Sequence, residues 1–292
     1  MNNNLSISES ISNLFFTIFL HLFFFSLSFY LINNLSYIFA IPLFVIISLI
    51  HQKFLGELLH EGNHYNLFKF KIINELLSNY LIGLFFFVTV KNYRKKHFQH
   101  HAHDIFFKES DPETGPIKVK TKKEFWKNIF FDLIGVNGAK FLLRYTNHEE
   151  KNKKFKTDLN FFAMLIIQSV IFFSIIKTQY LIYYLIYYFS LGTLYHLQLR
   201  LRIIGQHIFL DKNNSIQYEK TTSRTILGGI LEKIFFTSDL TAYHDLHHAN
   251  PMQPYRKLKK FFMENNMSQT SNENIFTRSR FRLLSNYYKS LN

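Results

Sequence analysis

The chain has 292 residues, is 48% hydrophobic and 18% aromatic with 35 Phe and 17 Tyr, lacks Cys, and carries a formal net charge of +14. That composition excludes an ordinary soluble protein and points to the membrane class. Without Cys there is no disulfide, no thiolate metal site and no Cys nucleophile, so any metal must be held by nitrogen and oxygen ligands.

The first predicted element is the uncharged run at 11–32, "ISNLFFTIFLHLFFFSLSFYLI". Roughly 20 helical residues cross a bilayer core. A cleaved signal would need a basic start, but the first basic residue is Lys53, so the run reads as a retained anchor. After the turn "NNLS", a second span is expected at 35–52, closing a hairpin and continuing as a helix past the bilayer surface to His60 and His64. Residues 72–90 are amphipathic at first and then strongly apolar, which suits a segment lying in the interface or dipping into the membrane.

From 91 to 156 the chain is polar and basic, with Pro112, Gly115 and Pro116 marking a loop. Two further spans, 159–176 and 180–197, are joined by the short connection "KTQ" and form a second hairpin. Beyond Leu199 the chain is basic and does not span. Residues 1–264 read as one membrane domain, and the polar basic tail 265–292, rich in Asn and Ser at its start, is expected to be loosely ordered.

The fold class expected is therefore all-α integral membrane: about four transmembrane helices in two hairpins, plus a helical cap outside the bilayer. Of the 34 basic residues only Lys177 falls at a hairpin tip. By the positive-inside rule the cap, the histidine clusters and both termini face the cytoplasm. The charge thus follows topology and anionic headgroups, and nucleic acid is not an expected partner.

Histidine spacing carries the chemistry. His60 and His64 stand at i and i+4, His97, His100 and His101 at i, i+3 and i+4, and His244, His247 and His248 repeat that pattern. Helical residues so spaced share a side, so each cluster is expected to present its imidazoles in one direction. With His207 they make nine of the 14 histidines, all on the cytoplasmic side, enough ligands for two metals better than one. Neutral imidazole suits Fe, Zn or Cu, and packing several together costs desolvation unless something binds them. His21, His51, His103, His148 and His196 read as ordinary polar or interfacial side chains.

These residues resemble the membrane fatty acid desaturase and hydroxylase superfamily. "LLHEGNHYNLF" resembles its first histidine box, "YRKKHFQHHAH" its second, "TAYHDLHHANPMQPYRKL" its third, and "LRIIGQH" the additional histidine segment. The resemblance runs from about Gly56 to Leu258 and implies two iron ions held by His60, His64, His97, His100, His101, His207, His244, His247 and His248, with O2 as co-substrate. Related sequences often carry Glu where this chain has Gln206. Glu61 and Asp245, inside the boxes, and Gln206, beside His207, are candidates to orient ligand rings by accepting their second N–H.

No side chain deprotonates an alkane C–H, so oxidation of a methylene needs a redox metal and an oxidant. The expected activity is lipid or fatty-acyl desaturation, with a hydroxylase or carotenoid ketolase of the same superfamily as the sister reading and a membrane metal-binding or metal-transport protein as the reading from another class. The acyl substrate is expected from the bilayer. The chain has no Cys for an iron–sulfur cluster, no GxGxxG and no His-Pro-Gly-Gly segment, so electrons are expected from a separate ferredoxin or cytochrome b5-like donor. The basic stretches 91–96 and 118–127 could dock such an acidic partner, although topology and headgroup contact account for them as well.

Overall fold

A computed structural model describes residues 5–102, 110–146, 158–210, 216–217, 223–265 and 276–292; His103 and His148 lie outside them. Ser6 and Glu9 form a reciprocal capping box that starts α1 (Ile7–Asn34). After a two-residue turn the chain reverses into α2 (Tyr37–Asn63). Both helices are long and apolar enough to cross a membrane. Phe15, Phe19, Leu22, Phe23, Ile38 and Phe39 point outward and are exposed, which suits lipid and would be a liability in water.

The stretch expected as one interfacial or dipping segment is broken. It comprises α3 (Lys71–Leu77), a π turn at Ser78–Ile82 and a 3-10 turn at Gly83–Phe86, and it meets α4 (Val90–His100) at a bend of 85°. Phe87, in the left-handed region at φ 53°, turns the corner. Backbone groups freed by the break are satisfied from elsewhere in the chain. His21 Nε2 donates to Leu81 O at 2.7 Å, Gln168 Nε2 donates to Leu84 O at 3.0 Å, and Asn79 Oδ1 accepts from Val90 N at 2.8 Å. Irregular backbone in apolar surroundings is tolerated where its polar groups are paired in this way.

His21 and His51 therefore have a use. One donor order satisfies the whole row: Tyr187 O–H to His51 Nδ1 (3.1 Å), His51 Nε2–H to His21 Nδ1 (3.2 Å), and His21 to Leu81 O. The row ties α1, α2 and the broken segment to the second apolar hairpin.

Helices α5 (Lys122–Leu133) and α6 (Val136–Thr146) precede that hairpin. Its arms are α7 (Leu159–Ile175), a shorter apolar helix of 17 residues, and α8 (Tyr180–Ser190), which passes through a π turn at Leu191–Tyr195 into α9 (His196–His207). Gln179 Nε2 donates to Asn33 Oδ1 at 3.0 Å, so the two hairpin tips meet at one end. The chain ends of α2 and α9, bearing His60, His64 and His207, lie at the other.

Gly138 of α6 packs against the π turn so closely that a Cβ there would lie 2.1 Å from Gly192 O. Backbone cannot swing aside as a side chain can. Gly138→Ala is expected to cost about 1–3 kcal/mol, read as a lower apparent unfolding midpoint in detergent.

Small β pairs close the cap: β1 (Phe209–Leu210) with β2 (Ile216–Gln217), antiparallel, and β3 (Thr225–Ile226) with β4 (Phe276–Thr277), parallel. Between them run α10 (Ile230–Phe235), α11 (His244–Ala249) and α12 (Tyr255–Glu264), and α13 (Arg280–Ser290) follows. The expectation of a loosely ordered tail does not hold for 276–292. Tyr287 and Leu291 pack with Ile203, Ile204 and Ile208 of the α9 region. Fully buried Arg280 lies against Gly205 and donates through Nη2 to Thr237 Oγ1 at 2.5 Å. An Asn- and Ser-rich composition hid the apolar spacing of Phe281, Leu284, Tyr287 and Tyr288.

Candidate metal centre

Each histidine is placed by the end of a helix. His60 and His64 close α2, His97 and His100 the last turn of α4 with His101 as its cap, His207 ends α9, and His244, His247 and His248 lie on the short α11. Thr89 caps the start of α4 by accepting from Asn92 N, and the break before it aims that helix at α2. The loop that delivers α11 is pinned to α2 by Glu57. Its buried carboxylate accepts from Ser238 N (2.9 Å), Ser238 Oγ (2.6 Å) and Thr241 Oγ1 (2.7 Å), and pairs with Lys53 at 3.1 Å.

The nine histidines converge in two groups. His60, His64, His97, His101 and His247 form one, and His100, His207, His244 and His248 the other, with candidate ligand atoms within 4.8 Å of one another in each. The grouping revises the expectation that each cluster faces one way. In both HxxHH clusters the i and i+4 rings go to one group and the i+3 ring to the other: His97 and His101 against His100, and His244 and His248 against His247. At 3.6 residues per turn, i+3 and i+4 diverge by about 100°, so two facing helices can each supply both groups. Stacked His101 and His248, with ring centroids 4.3 Å apart, join them.

Fit to a metal can be judged from the donor atoms. Both ring nitrogens of His60 and His64, Nδ1 of His244 and Nε2 of His247 are buried without a hydrogen-bond partner among the described residues. Such orphaned nitrogens are costly unless something is bound. His101 Nε2 lies 3.0 Å from His97 Nε2, and His244 Nε2 lies 2.9 Å from His207 Nε2. Burial, reinforced by neighbouring imidazoles, holds His64, His101, His244, His247 and His248 below the usual histidine range, and thus neutral at pH 7, the form that can ligate a metal. All-nitrogen sets of this kind suit a borderline transition metal, and each group can hold one ion.

Two carboxylates that the sequence reading passed over hold the rings in place. His97 Nδ1 contacts Glu113 Oε1 at 2.5 Å, and His100 Nδ1 is 3.1 Å from both oxygens of Asp111. With Nδ1 engaged, Nε2 is left for a metal. Asp111 also accepts from Glu113 N (2.9 Å), Thr114 N (3.1 Å) and Thr114 Oγ1 (2.5 Å), which fixes the loop. Burial alone would raise Glu113, but the charges of His97 and His100 and the bond from His97 outweigh it and bring it down to about 2. Asp111 is lowered as well: the bond and charge of His100 and the Thr114 and Glu113 donors overcome burial. His100 is correspondingly raised, since Glu113 and Asp111 overcome its desolvation.

The three polar candidates read from the sequence lie beside the centre with other partners. Glu61 accepts from Tyr255 N at 3.3 Å and stays 3.8 Å from His60 Nδ1, too far for a hydrogen bond. Asp245 accepts from Thr225 Oγ1 of β3, and burial raises its carboxyl. Gln206 Nε2 donates to Thr241 O at 3.1 Å, tying α9 to the loop before α11. The basic stretches are partly committed too: Arg94 pairs with Glu75 and donates to Asn63 O, both at 2.5 Å, and Lys122 Nζ donates to Leu291 O at 2.6 Å.

Beside the first group lies a narrow, largely apolar chamber of ≈ 70 Å³. Leu59, Tyr93 and Glu113 line it next to the histidines, and Phe86, Phe141 and Tyr195 continue the wall.

A family model described as fatty acid desaturase matches residues 35–273, a range that includes all nine histidines. No curated protein matches the chain.

Proposed function

The chain belongs to the fatty acid desaturase family, and we propose that it is an O2-dependent lipid or fatty-acyl desaturase whose nine histidines hold two iron ions. The apolar chamber carries this reading. It runs from the ring-fixing carboxylate Glu113 along a wall of Leu59, Phe86 and Phe141, a surface that suits a methylene chain, with Arg144, Arg200 and Arg202 in the remaining wall. The alternative of metal transport is disfavoured by position, because transport sites lie near the middle of the spans and these histidines gather at the end away from the hairpin tips.

In this reading α7 and the α8–α9 continuation complete four spans, with the metal centre and both termini cytoplasmic. The two irons, when bound, supply the redox chemistry with O2 that removes hydrogen from an unactivated methylene. The protein's own part is positional. Glu113 and Asp111 fix the tautomer and tilt of His97 and His100, Glu57 holds the α11 loop against α2, and the chamber walls exclude water from the reacting carbons. The balance is one CH2–CH2 unit, O2, two electrons and two protons going to CH=CH and two waters. A separate ferredoxin or cytochrome b5-like donor supplies the two electrons.

The test pairs iron analysis of the purified protein with fatty-acid analysis of cells that express it alongside a competent donor. About two irons per chain and new double bonds are expected. Hydroxylated or keto products would move the chain to the sister reaction. Iron at background with unchanged lipids would overturn the oxidative reading.

A further inference from the structure

We propose that an aromatic cavity beside the hairpin tips binds a polycyclic lipid carrying a single hydroxyl, the sterol class, as a resident ligand taken from the bilayer. The cavity, ≈ 400 Å³, lies between α1, α2, α7 and α8 and shares no lining residue with the chamber beside the histidines. Five Phe and five Tyr stand in its wall, Phe24, Phe44 and Phe85 among them. Phe29 of α1 and Ile171 of α7 line it and are also exposed, so it opens sideways, toward lipid, between those two helices.

Two hydroxyls in the wall are orphaned. Ser28 and Tyr183 are only 6% and 2% exposed, and Ser28 Oγ and the Tyr183 hydroxyl are buried without a hydrogen-bond partner among the described residues. Neighbouring polar groups are engaged: Tyr184 O–H donates to Gln168 Oε1 at 3.0 Å, Gln168 Nε2 to Leu84 O at 3.0 Å, and Tyr187 O–H to His51 Nδ1 at 3.1 Å. Ser174 of α7 returns its hydroxyl to Val170 O at 2.7 Å, a local solution that Ser28 does not take. A hydroxyl left unpaired in apolar surroundings is costly unless a ligand pairs it.

Shape and depth select the class. Ser28 stands six residues before the end of α1 and Tyr183 three after the start of α8, so both lie within about 9 Å of the tips along the helix axes, near the boundary of the hydrocarbon region. From there the wall runs inward, from Ile32 to Phe24 on α1 and from Tyr180 to Tyr188 on α8, about 12 Å along each helix. A volume of ≈ 400 Å³ over that length is a mean section of about 33 Å², too broad for one polymethylene chain and suited to fused rings held between aromatic faces. One ring hydroxyl both donates and accepts, so it can pair Ser28 and Tyr183 together. A diacyl lipid would fill the breadth but bring a large polar head to a wall that offers two hydroxyls.

Binding to the intact protein in uncharged detergent makes the test, with cholesterol, its hydroxyl-free analogue cholestane, oleyl alcohol and dioleoylglycerol as probes. Cholesterol should bind about tenfold or more tightly than each of the other three. Ser28→Ala with Tyr183→Phe should abolish that preference. The double variant removes orphaned hydroxyls and adds no atoms, so its unfolding midpoint without lipid should match or exceed that of the wild type. The rise in midpoint that cholesterol gives the wild type should vanish in it. If the double variant fails to fold, Ile171→Trp at the exposed mouth serves instead, and should weaken cholesterol binding about tenfold by narrowing the entrance. Cholesterol binding no tighter than oleyl alcohol or cholestane, or a preference that these substitutions leave intact, overturns the proposal. Tighter binding of dioleoylglycerol overturns it in favour of acyl chains.

Discussion

Replacing His247 with alanine is expected to lower product formation by at least about 100-fold and to remove at least one iron per chain. Substituting a residue that merely orients a ligand typically costs 10–100-fold, and His247 is placed to be a ligand itself. Its ring centroid lies 4.5 Å from His60, 4.6 Å from His64 and 5.0 Å from His101, so it is the contribution of α11 to a group otherwise built from α2 and α4. Its Nε2 is buried with no hydrogen-bond partner among the described residues. Truncation therefore breaks no hydrogen bond at that atom, and the fold should persist. Iron analysis with circular dichroism makes the check: helicity near wild type with iron lost supports the assignment, whereas full iron and full product formation would remove His247 from the ligand set.

Much of the site could be read from the sequence, because histidines at helical spacing are conspicuous where other polar residues are few. All nine expected ligands fall within the two groups, and the neutral alternatives His21, His51 and His196 stay outside them. What spacing could not supply is the partition. A single helix shows that His97 and His101 lie closer in angle than either does to His100, but which ring meets which partner is decided by the crossing of α4 and α11. Asp111 and Glu113 were legible only as a loop, "DPETG". Their signal was weak: two acids in a Lys-rich stretch, 11 and 16 residues past the rings they hold.

The apolar spans were clear, but the break at 78–90 was not, since "LIGLFFFVTV" reads as unbroken. Its carbonyls are satisfied by His21 and Gln168, which lie 60 and 84 residues away in the chain. No local pattern encodes that. The packed C-terminal helix α13 failed to show for a related reason. Composition reports what an element exposes, and α13 is judged by the few residues it buries against α9.

The two carboxylates give the second large effect, and they should separate the groups. Glu113→Ala leaves His97 Nδ1 without the carboxylate that holds it, and is expected to weaken iron retention in the first group by about 10–100-fold. Asp111→Asn should do the same to the second group through His100. The amide keeps an oxygen that can accept from Glu113 N and Thr114 N, so the loop survives while the negative charge facing His100 is lost. A double substitution should then empty both groups under conditions where either single variant retains about one iron. Titration with added ferrous iron distinguishes positioning from collapse: a mispositioned ring still binds at higher concentration, so activity returns as iron is raised. Unchanged iron retention in both single variants would show that the rings are fixed by packing alone, and the hydrogen bonds at 2.5 and 3.1 Å would then have no role in metal binding.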